Sequence, residues 1–334
     1  MNVFVTGANG FLGSAVVRAL RQRGHHVLAM VRKPSSAPEA WATDDGIEIV
    51  RGDLRAPQAW ASRLVGVDVV VHLAAAKSGD FHEQFALTVG GTEQLLGVMQ
   101  GAGIRRLVHI STFSVYDYTV PSTGSLLDES SRLEAHPADR DEYTQVKLVQ
   151  ERLVRAFDGD VTIIRPGLVY GPGDFWNAGR AMRLGGRYWL AIGPEATMKL
   201  TNVDNCAEAI ALAAETPAAI GRTLNIVDDD LPTQREYELL LRRAGLDHDR
   251  SIPVPFCVAA CAASLLHSIN VRFFGGHAKL PGVAVPAKQA ARFKPLRYQH
   301  DEATRVLGWQ PMRSLADTIG PARTNAAAGK SDGR

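Results

Sequence analysis

Residues 3–13 read VFVTGANGFLG, a short apolar run followed by a glycine-rich turn. Apolar residues then recur at helical spacing, at Leu12, Ala15, Val16, Ala19 and Leu20. A strand, a glycine turn and a helix N-terminus in this order form an anion site, because backbone N–H groups and the helix dipole converge there. The stretch therefore predicts a dinucleotide-binding turn. The cofactor-facing positions are Gly7, Gly10, Phe11, Leu12 and Gly13.

Apolar, strand-like runs alternate with helical patterns through the first half of the chain. The predicted strands are Asn2–Thr6, His26–Val31, Ile47–Arg51, Val67–Leu73, Arg105–Ser111 and Val161–Arg165. These runs are almost continuously apolar, as expected for strands that are buried on both faces of a parallel sheet. Repeated strand–helix units predict an α/β, doubly wound parallel sheet of the Rossmann type with right-handed crossovers.

The character of the sequence changes after Gly171, where Gly and Pro interrupt shorter elements. We interpret residues 1–170 as the dinucleotide-binding domain and residues 171–323 mainly as a smaller, irregular substrate lobe. Within 200–230, the segments Asn205–Ala214 and Thr223–Val227 are expected to return to the sheet. Residues 324–334 have the composition of a disordered tail.

Composition excludes several other classes of protein. The chain has 334 residues, 46% of them hydrophobic and 22% charged, and its net charge of +2 gives no reason to expect nucleic acid. Cys206, Cys257 and Cys261 lack the spacing of a disulfide framework or a zinc site, so no metal is expected. We expect Cys257 and Cys261 to be buried thiols. The N-terminus lacks the features of a signal peptide, which predicts a cytoplasmic protein.

The most apolar segment, Val254–Ile269, is shorter than the roughly 20 residues that a bilayer span needs. Two interpretations remain open: a buried helix of the substrate lobe, or a flap that touches a membrane. We favour the buried helix and expect no stable membrane span.

The end of the second predicted strand indicates which dinucleotide binds. In the NAD version of this fold, an acid about 20 residues past the glycines binds the ribose 2′-hydroxyl. Here the strand ends in Val31-Arg32-Lys33, and no Asp or Glu occurs between Gly13 and Glu39. The missing carboxylate and the two cations favour a 2′-phosphate, and hence NADP over NAD. The alternative is a solvated basic loop.

Tyr143 and Lys147 are four residues apart in a segment with helical character, so their side chains stack on one face. A nearby ammonium favours a phenolate, and lowering a tyrosine pKa from about 10 to about 7 requires about 4 kcal/mol. Ser111 and Thr112 end the fifth predicted strand, where this architecture places its ligands. Either hydroxyl would hold a substrate oxygen against Tyr143.

Seven stretches are distributed over about residues 1–312: TGANGFLG (6–13), GDL (52–54), HLAAA (72–76), STFSVY (111–116), YTQVK (143–147), RPGLVYGPG (165–173) and LGWQP (307–311). Together they resemble the extended branch of the short-chain dehydrogenase/reductase superfamily, of the NAD-dependent epimerase/dehydratase type. For the cofactor, the resemblance implies that Asp53 and Leu54 contact the adenine, that Ala74, Ala75 and Ala76 line its groove, and that Pro166 to Val169 flank the nicotinamide. For the chemistry, it implies Tyr143 as the acid/base, Lys147 as its pKa setter and ribose ligand, and Thr112 as the catalytic hydroxyl.

Some positions depart from the family pattern. Thr88 stands where asparagine is usual, which puts one supporting hydrogen bond in question. No acid pair follows Thr112, which disfavours dehydration. Met198, with Lys199 beside it, occupies the position where nucleotide-sugar enzymes usually carry an arginine. Three nearby cations keep phosphate binding open, with a solvated helix face as the alternative; they are Arg180, Arg183 and Arg187.

Three features resemble the dihydroflavonol reductase and 3β-hydroxysteroid dehydrogenase subgroups: VRKP (31–34), VDNCAEA (203–209) and the apolar segment. We therefore predict an NADP-dependent oxidoreductase that transfers hydride between the nicotinamide and an alcohol or ketone carbon of a small, apolar substrate. The alternatives are a nucleotide-sugar 4-epimerase with tightly bound cofactor and a non-catalytic, NADP-sensing binding protein. A homodimer is expected only by analogy with the family.

Overall fold

The strands of the computed structural model, which describes residues 1–175, 180–185 and 188–320, form one large sheet and three small ones. In chain order they are β1 (Asn2–Thr6), β2 (His26–Val31), β3 (Ile47–Arg51), β4 (Val69–His72), β5 (Arg106–Ile110), β6 (Leu126–Leu127), β7 (Asp160–Pro166), β8 (Leu168–Tyr170), β9 (Arg180–Leu184), β10 (Tyr188–Ile192), β11 (Leu200–Asn202), β12 (Thr223–Ile226), β13 (Arg250–Val254) and β14 (Arg297–Tyr298). The large sheet is parallel, in the order β3-β2-β1-β4-β5-β7-β12.

The α-helices cover both faces of this sheet and build the lobe beside it. They are α1 (Phe11–Gln22), α2 (Phe81–Phe85), α3 (Gly91–Gly101), α4 (Glu142–Arg155), α5 (Val203–Glu215), α6 (Gln234–Arg243), α7 (Phe256–Phe274), α8 (Pro286–Phe293) and α9 (Asp301–Leu307). Residues 315–320 are also helical, and a π-helical turn, Ala86–Gly90, joins α2 to α3. Short 3-10 helices lie at Pro34–Ser36, Glu39–Thr43, Pro57–Ala59, Ala61–Leu64, Phe113–Val115, Pro137–Asp139, Pro217–Ala219 and Gly282–Ala284.

The predicted Rossmann-type sheet is confirmed. The bounds of β1, β2 and β3 match the apolar runs, and β4, β5 and β7 differ from them by one or two residues at an end. After residue 200 the chain returns to the sheet, where β12 pairs in parallel with β7. The division into two domains at residue 170 stays a prediction.

Two apolar layers hold the helices on the sheet. On one face α1 and α5 pack together, and Val16, Leu20 and Ile210 are fully buried. On the other face Trp60 and Leu95 are fully buried against Phe4. Burying each such side chain contributes about 1.5–3 kcal/mol, so these layers fix the carboxyl edge of the sheet from both sides.

The interpretation of Val254–Ile269 as a buried helix is wrong. This segment lies in α7, of which only Ala259, Ala263 and Asn270 are buried. Cys257 and Cys261, expected as buried thiols, are exposed, whereas Cys206 is buried. The reason is that α7 rests on its neighbours through a narrow stripe of small residues, and its larger apolar side chains point away.

By length and composition, α7 is the one helix of the described residues that could cross a membrane, with a mean hydropathy of 1.4. This is weak evidence for a span, since a core helix or a signal sequence passes the same test. It nevertheless reaches 19 residues, longer than the sequence segment suggested.

The basic cluster near residue 180 also differs from expectation. Arg180 and Arg183 lie on strand β9 and not on a helix. Arg180 is paired with Asp247 and, at 3.1 Å, with Asp249. Arg187 and the tail at 324–334 lie outside the described residues.

Candidate active site

The glycine turn is built around close backbone contacts. Gly7 has a φ of +67°, which favours glycine, and the Gly10 N–H donates to its carbonyl at 3.0 Å. A Cβ on Gly13 would lie 2.1 Å from that same carbonyl oxygen. Gly10 precedes α1 without providing a side-chain cap, and both Gly10 and Phe11 are exposed. The backbone N–H groups at the start of α1 therefore face an open cradle that suits a pyrophosphate.

Other predicted cofactor residues lie at the carboxyl ends of neighbouring strands. Because these strands are parallel, the segments after β1, β2, β3 and β4 meet at one edge of the sheet. This edge carries Leu12, Arg32, Lys33, Asp53, Leu54, Ala74, Ala75 and Ala76. Asn9 ties the glycine turn to the loop after β2, by donating to Ser36 at 2.7 Å. The arrangement fits an extended dinucleotide laid across the edge.

Thr88, which replaces the usual asparagine, makes a hydrogen bond to this edge. Its hydroxyl accepts from the Ala76 N–H at 2.9 Å, and it is fully buried in the π-helical turn before α3. Its backbone carbonyl accepts from the Thr92 hydroxyl at 2.6 Å. The substitution therefore leaves the Ala76 loop supported.

Charged groups surround the end of β2. Arg32 and Lys33 are exposed, and Asp53 after β3 is bound by Arg55 at 2.7 Å. The hydrogen bond from Arg55 and, to a lesser degree, the charge of Arg32 lower the pKa of Asp53 to about 2. The negative charge of the Asp53 carboxylate is thus balanced by Arg55, and Arg32 and Lys33 are exposed to solvent.

Tyr143 lies in the first turn of α4, beside Thr112. Asp141 caps this helix by accepting from the Thr144 N–H at 3.0 Å, which fixes where the first turn begins. The Thr112 hydroxyl lies close enough to the Tyr143 hydroxyl to lower the pKa of Tyr143, and it accepts from the Ser114 N–H at 3.2 Å. The two hydroxyls therefore meet at the carboxyl end of β5.

The protonation of Tyr143 differs from expectation. Burial raises the pKa of Tyr143 to about 12, and the hydrogen bond from Thr112 only partly opposes this. From the sequence, we predicted that the ammonium of Lys147 lowers the pKa of Tyr143. The effect of burial on this pKa exceeds that of Lys147, because the Lys147 ammonium is directed to the Ile110 carbonyl, 2.8 Å away, and to Gln150. Tyr143 is consequently a neutral phenol at pH 7 and able to donate a proton.

Lys147 lies one helical turn below Tyr143 and is buried. Burial lowers its pKa to about 7, against the opposing charge of Glu151. A charge held in this position stabilises a phenolate if Tyr143 loses its proton.

Ser111 does not face the site. Its hydroxyl donates to Glu151 at 2.5 Å, and Glu151 is paired with Arg165 at 2.5 Å, all three buried. Successive side chains of a strand point to opposite sides. The Ser111 side chain therefore points into the core, whereas the Thr112 side chain faces Tyr143. The role of Ser111 stays a prediction, and its hydrogen bond to Glu151 favours Thr112 as the hydroxyl that holds a substrate oxygen.

A buried polar chain, missed in the sequence, links the glycine turn to α4. Thr6 bonds His72 at 2.7 Å, and His72 bonds Thr92 at 2.8 Å. Gln150 donates to Thr92 at 2.9 Å and contacts Lys147. Burial lowers the pKa of His72 to about 3, so it is neutral. A polar residue at the end of each buried strand was the available signal, but only tertiary structure joins these residues.

Lys199 is a half-buried cation that the sequence argument did not assign. Its ammonium donates to the Ala291 carbonyl at 3.0 Å and lies 4.7 Å from the Tyr118 ring centroid and 5.6 Å from that of Tyr298. Tyr118 in turn donates to the Phe113 carbonyl, next to Thr112. Burial lowers the pKa of Lys199 to about 7.

The remaining predicted residues, Pro166 and Val169, lie where β7 ends and β8 begins. Val169 pairs with Thr201 of β11, and a Cβ on Gly167 would lie 2.2 Å from the Lys199 carbonyl oxygen. This close packing holds the backbone after Pro166 beside Lys199, the residue before β11. Among the described residues, no group of three or more His, Cys, Asp and Glu side chains is placed to hold a metal ion.

The fold and the site define a dinucleotide-dependent oxidoreductase of the short-chain dehydrogenase/reductase superfamily. The model of the NAD dependent epimerase/dehydratase family matches residues 3–226, and the chain belongs to this family.

Among its relatives, a 2-alkyl-3-oxoalkanoate reductase of Stenotrophomonas maltophilia is 30% identical over 98% of this chain and 100% of that protein. A 3 beta-hydroxysteroid dehydrogenase/Delta 5-->4-isomerase of Mycobacterium tuberculosis is 36% identical over 52% of this chain and 48% of that protein. A solved UDP-glucuronic acid 4-epimerase of Bacillus cereus, in complex with NAD, is 20% identical with a TM-score of 0.70, covering 98% of this chain and 99% of that one.

Proposed function

We propose that this protein uses NADPH to reduce the ketone group of an apolar substrate, and catalyses the reverse oxidation of the alcohol. The observation that carries the proposal is the contact of the Thr112 and Tyr143 hydroxyls above buried Lys147, at the sheet edge that holds the glycine turn. A dinucleotide on this edge would bring its nicotinamide end towards the same hydroxyls.

The three side chains would have separate roles. The nicotinamide, when bound, supplies the hydride. Thr112 donates a hydrogen bond to the ketone oxygen, which orients the carbonyl carbon and stabilises developing negative charge. Neutral Tyr143 gives its proton to that oxygen as the alcohol forms. Lys147 stabilises the phenolate left behind until solvent returns the proton.

The choice of NADP rests on the groups after β2 and β3. Exposed Arg32 and Lys33 can contact a 2′-phosphate, and Arg55 already occupies the Asp53 carboxylate that would otherwise repel one. NAD remains the alternative, because a family member binds it in a solved complex. The cytoplasmic location and the homodimer stay predictions.

The choice of an apolar substrate rests on the apolar surroundings of Thr112 and on the relatives. Phe113, which follows Thr112, is buried in an apolar cluster, where its ring meets that of Tyr298 edge to face, 5.7 Å apart. Relatives named for 2-alkyl-3-oxoalkanoates and for 3β-hydroxysteroids support a ketone or alcohol on a large hydrocarbon frame. A nucleotide-sugar epimerase is less favoured, because Met198 lies in an apolar cluster and Arg180 is committed to acids.

Replacement of Tyr143 by Phe tests the chemistry. We expect kcat/KM for NADPH-dependent reduction of a 2-alkyl-3-oxoalkanoate or a 3-ketosteroid to fall about 10²- to 10⁴-fold, since the proton donor is lost. NADPH affinity, measured by fluorescence titration, should stay within about threefold, because the glycine turn is untouched. Reduction at the wild-type rate by Tyr143→Phe would remove the proposed mechanism.

Replacement of Arg32 by Ala tests the cofactor. We expect the Kd for NADPH to rise about tenfold or more and the Kd for NADH to change little, because only the former carries the 2′-phosphate. Lys288→Ala, which removes a positive charge from α8 instead of from the loop after β2, serves as the control. Equal losses for both dinucleotides, or a wild-type preference for NADH, would contradict the assignment.

A further inference from the structure

Helix α7 presents a large apolar surface that no other described element covers. Its buried stripe consists of Ala259, Ala263 and Asn270. The large exposed side chains, up to 71% accessible at Phe273, are Val258, Leu265, Leu266, Ile269, Val271, Phe273 and Phe274. Apolar patches of this kind on a soluble fold mark interaction surfaces.

The exposed side chains are sorted around the helix axis. Val258, Leu265, Ile269 and Phe273 follow one another at spacings of seven, four and four residues and share one side. Ser264, Ser268 and Arg272, each four apart, form a separate polar side. Helix α7 therefore presents an apolar side outward, which is the reverse of a helix that packs on its own core.

The chain segment that contains α7 is strongly one-sided in charge, although the Glu195 carboxylate accepts from the Phe256 N–H at the start of the helix. Residues 250–300 contain no Asp or Glu, although the whole chain has a net charge of only +2. The cations of this segment are Arg250, Arg272, Lys279, Lys288, Arg292, Lys294 and Arg297. An exposed apolar helix in a region of net positive charge complements an anionic lipid surface.

We propose that α7 docks this protein on the surface of an anionic membrane. The side formed by Val258, Leu265, Ile269 and Phe273 enters the boundary between headgroups and acyl chains, and Arg272 and Lys279 contact lipid phosphates. Two copies of the chain are a poorer occupant, since a symmetric contact would bring two positive segments together.

The helix lies on the membrane and does not cross it. Its alanine stripe packs with Phe293 of α8, and Gln289 donates to the Ala259 carbonyl at 3.0 Å. Asn270 exchanges two hydrogen bonds with Ala278, which closes the C-terminal end of α7. The contacts with α8 hold the helix on the lobe, so docking requires no unfolding.

Docking would place the candidate active site next to the membrane, in which an apolar ketone dissolves. Helix α8, against which α7 packs, also carries the Ala291 carbonyl that accepts from Lys199. One element, α8, thereby separates α7 from Lys199. This step rests on the proposed function, whereas the docking itself does not.

Vesicle flotation of the full-length protein tests the docking. We expect it to float with phosphatidylcholine vesicles that contain about one quarter phosphatidylglycerol, less with phosphatidylcholine alone, and less at high salt. The double substitution Leu265→Asp/Phe273→Asp should reduce the bound fraction about tenfold or more, since both side chains are exposed and unfolding is not expected. Val65→Asp, at an apolar position 83% exposed outside α7, is the matched control and should float like wild type.

Three results would overturn the proposal: wild type that stays with the dense fraction, flotation that Leu265→Asp/Phe273→Asp does not change, and equal loss with Val65→Asp. A concentration-dependent dimer in sedimentation equilibrium that the double variant dissociates would assign α7 to a second copy instead. NADPH oxidation with a water-soluble ketone, measured without vesicles, keeps failure of docking distinct from failure of the proposed reductase.

Discussion

At the scale of single residues, two adjacent hydroxyls have opposite environments. Ser111 is held by Glu151 in the core, whereas Thr112 meets Tyr143 at the sheet edge. The sequence placed both at the end of a strand and left the choice between them open. Strand alternation decides that one faces inward, but which one depends on where Glu151 of α4 lies, and that is a tertiary fact.

Substitution of each hydroxyl separates the two roles. We expect Thr112→Ala to lower kcat for ketone reduction about 10²-fold, with little change in thermal stability, because it removes the hydrogen bond to the reacting oxygen. Ser111→Ala should instead cost about 1–3 kcal/mol of stability, because buried Glu151 loses a partner, and leave kcat within a few-fold. Steady-state kinetics and urea denaturation of both variants measure this. The reverse pattern would return Ser111 to the site.

The spacing of Tyr143 and Lys147 could be predicted from the sequence, but their protonation could not. Four-residue spacing fixes a shared helix face, whereas a pKa depends on how deeply the whole fold buries the group. Lys199 shows the same limit. Its neighbours Tyr118, Tyr298 and Ala291 are distant in sequence and meet it only after folding.

At the scale of elements, continuous apolar runs predicted the buried strands well and α7 badly. A central strand of a parallel sheet is covered on both faces, so its composition alone implies burial. An apolar helix carries the same composition whether it is in a core or at an interface. What distinguishes α7 is the narrow stripe of Ala259 and Ala263 by which it packs, and no periodicity in the sequence shows what covers the rest.

The first turn of α1 offers a test at this scale. A methyl group on Gly13 would collide with the Gly7 carbonyl, so Gly13→Ala should destabilise the fold by about 1–3 kcal/mol and weaken dinucleotide binding at least about tenfold. Gly97 in α3 meets no heavy atom within 4 Å at that position. Gly97→Ala should therefore stabilise by about 0.5–1 kcal/mol, with binding unchanged.

Thermal denaturation and isothermal titration with NADPH compare these two variants. Wild-type binding by Gly13→Ala would mean that the close contact of α1 with the turn is not needed for the cofactor.

At the scale of the whole molecule, the return of β12 beside β7 completes the sheet from residues far along the chain. The apolar pattern at 223–227 allowed that return to be predicted, because a strand-like run needs a sheet edge to pair with. The lobe around β9, β10 and β13 follows no such rule. Its short elements are interrupted by Gly and Pro, and their pairing depends on contacts that the sequence does not encode locally.

Two ammonium groups, buried Lys147 and half-buried Lys199, make the stability of the whole molecule depend on pH. Burial lowers the pKa of both Lys147 and Lys199 to about 7, against an ordinary value of 10.5 in the unfolded chain. Between pH 7 and about 10, the unfolded chain therefore binds more protons than the folded one. The free energy of unfolding must rise with pH in that window, because its slope has the sign of this difference.

We accordingly expect the urea midpoint to be higher at pH 9 than at pH 7. Above about pH 9 the rise should weaken, since burial raises the pKa of the Cys206 thiol and the folded state retains a proton that the unfolded state loses. Lys147→Met and Lys199→Met should each reduce the rise from pH 7 to pH 9, because each removes one of the two titrating groups. Lys288→Met, which removes an ammonium other than these two, is the matched control and should leave the rise intact. A midpoint that is flat or falls over this range in the wild type would show that these two ammonium groups do not titrate near neutrality.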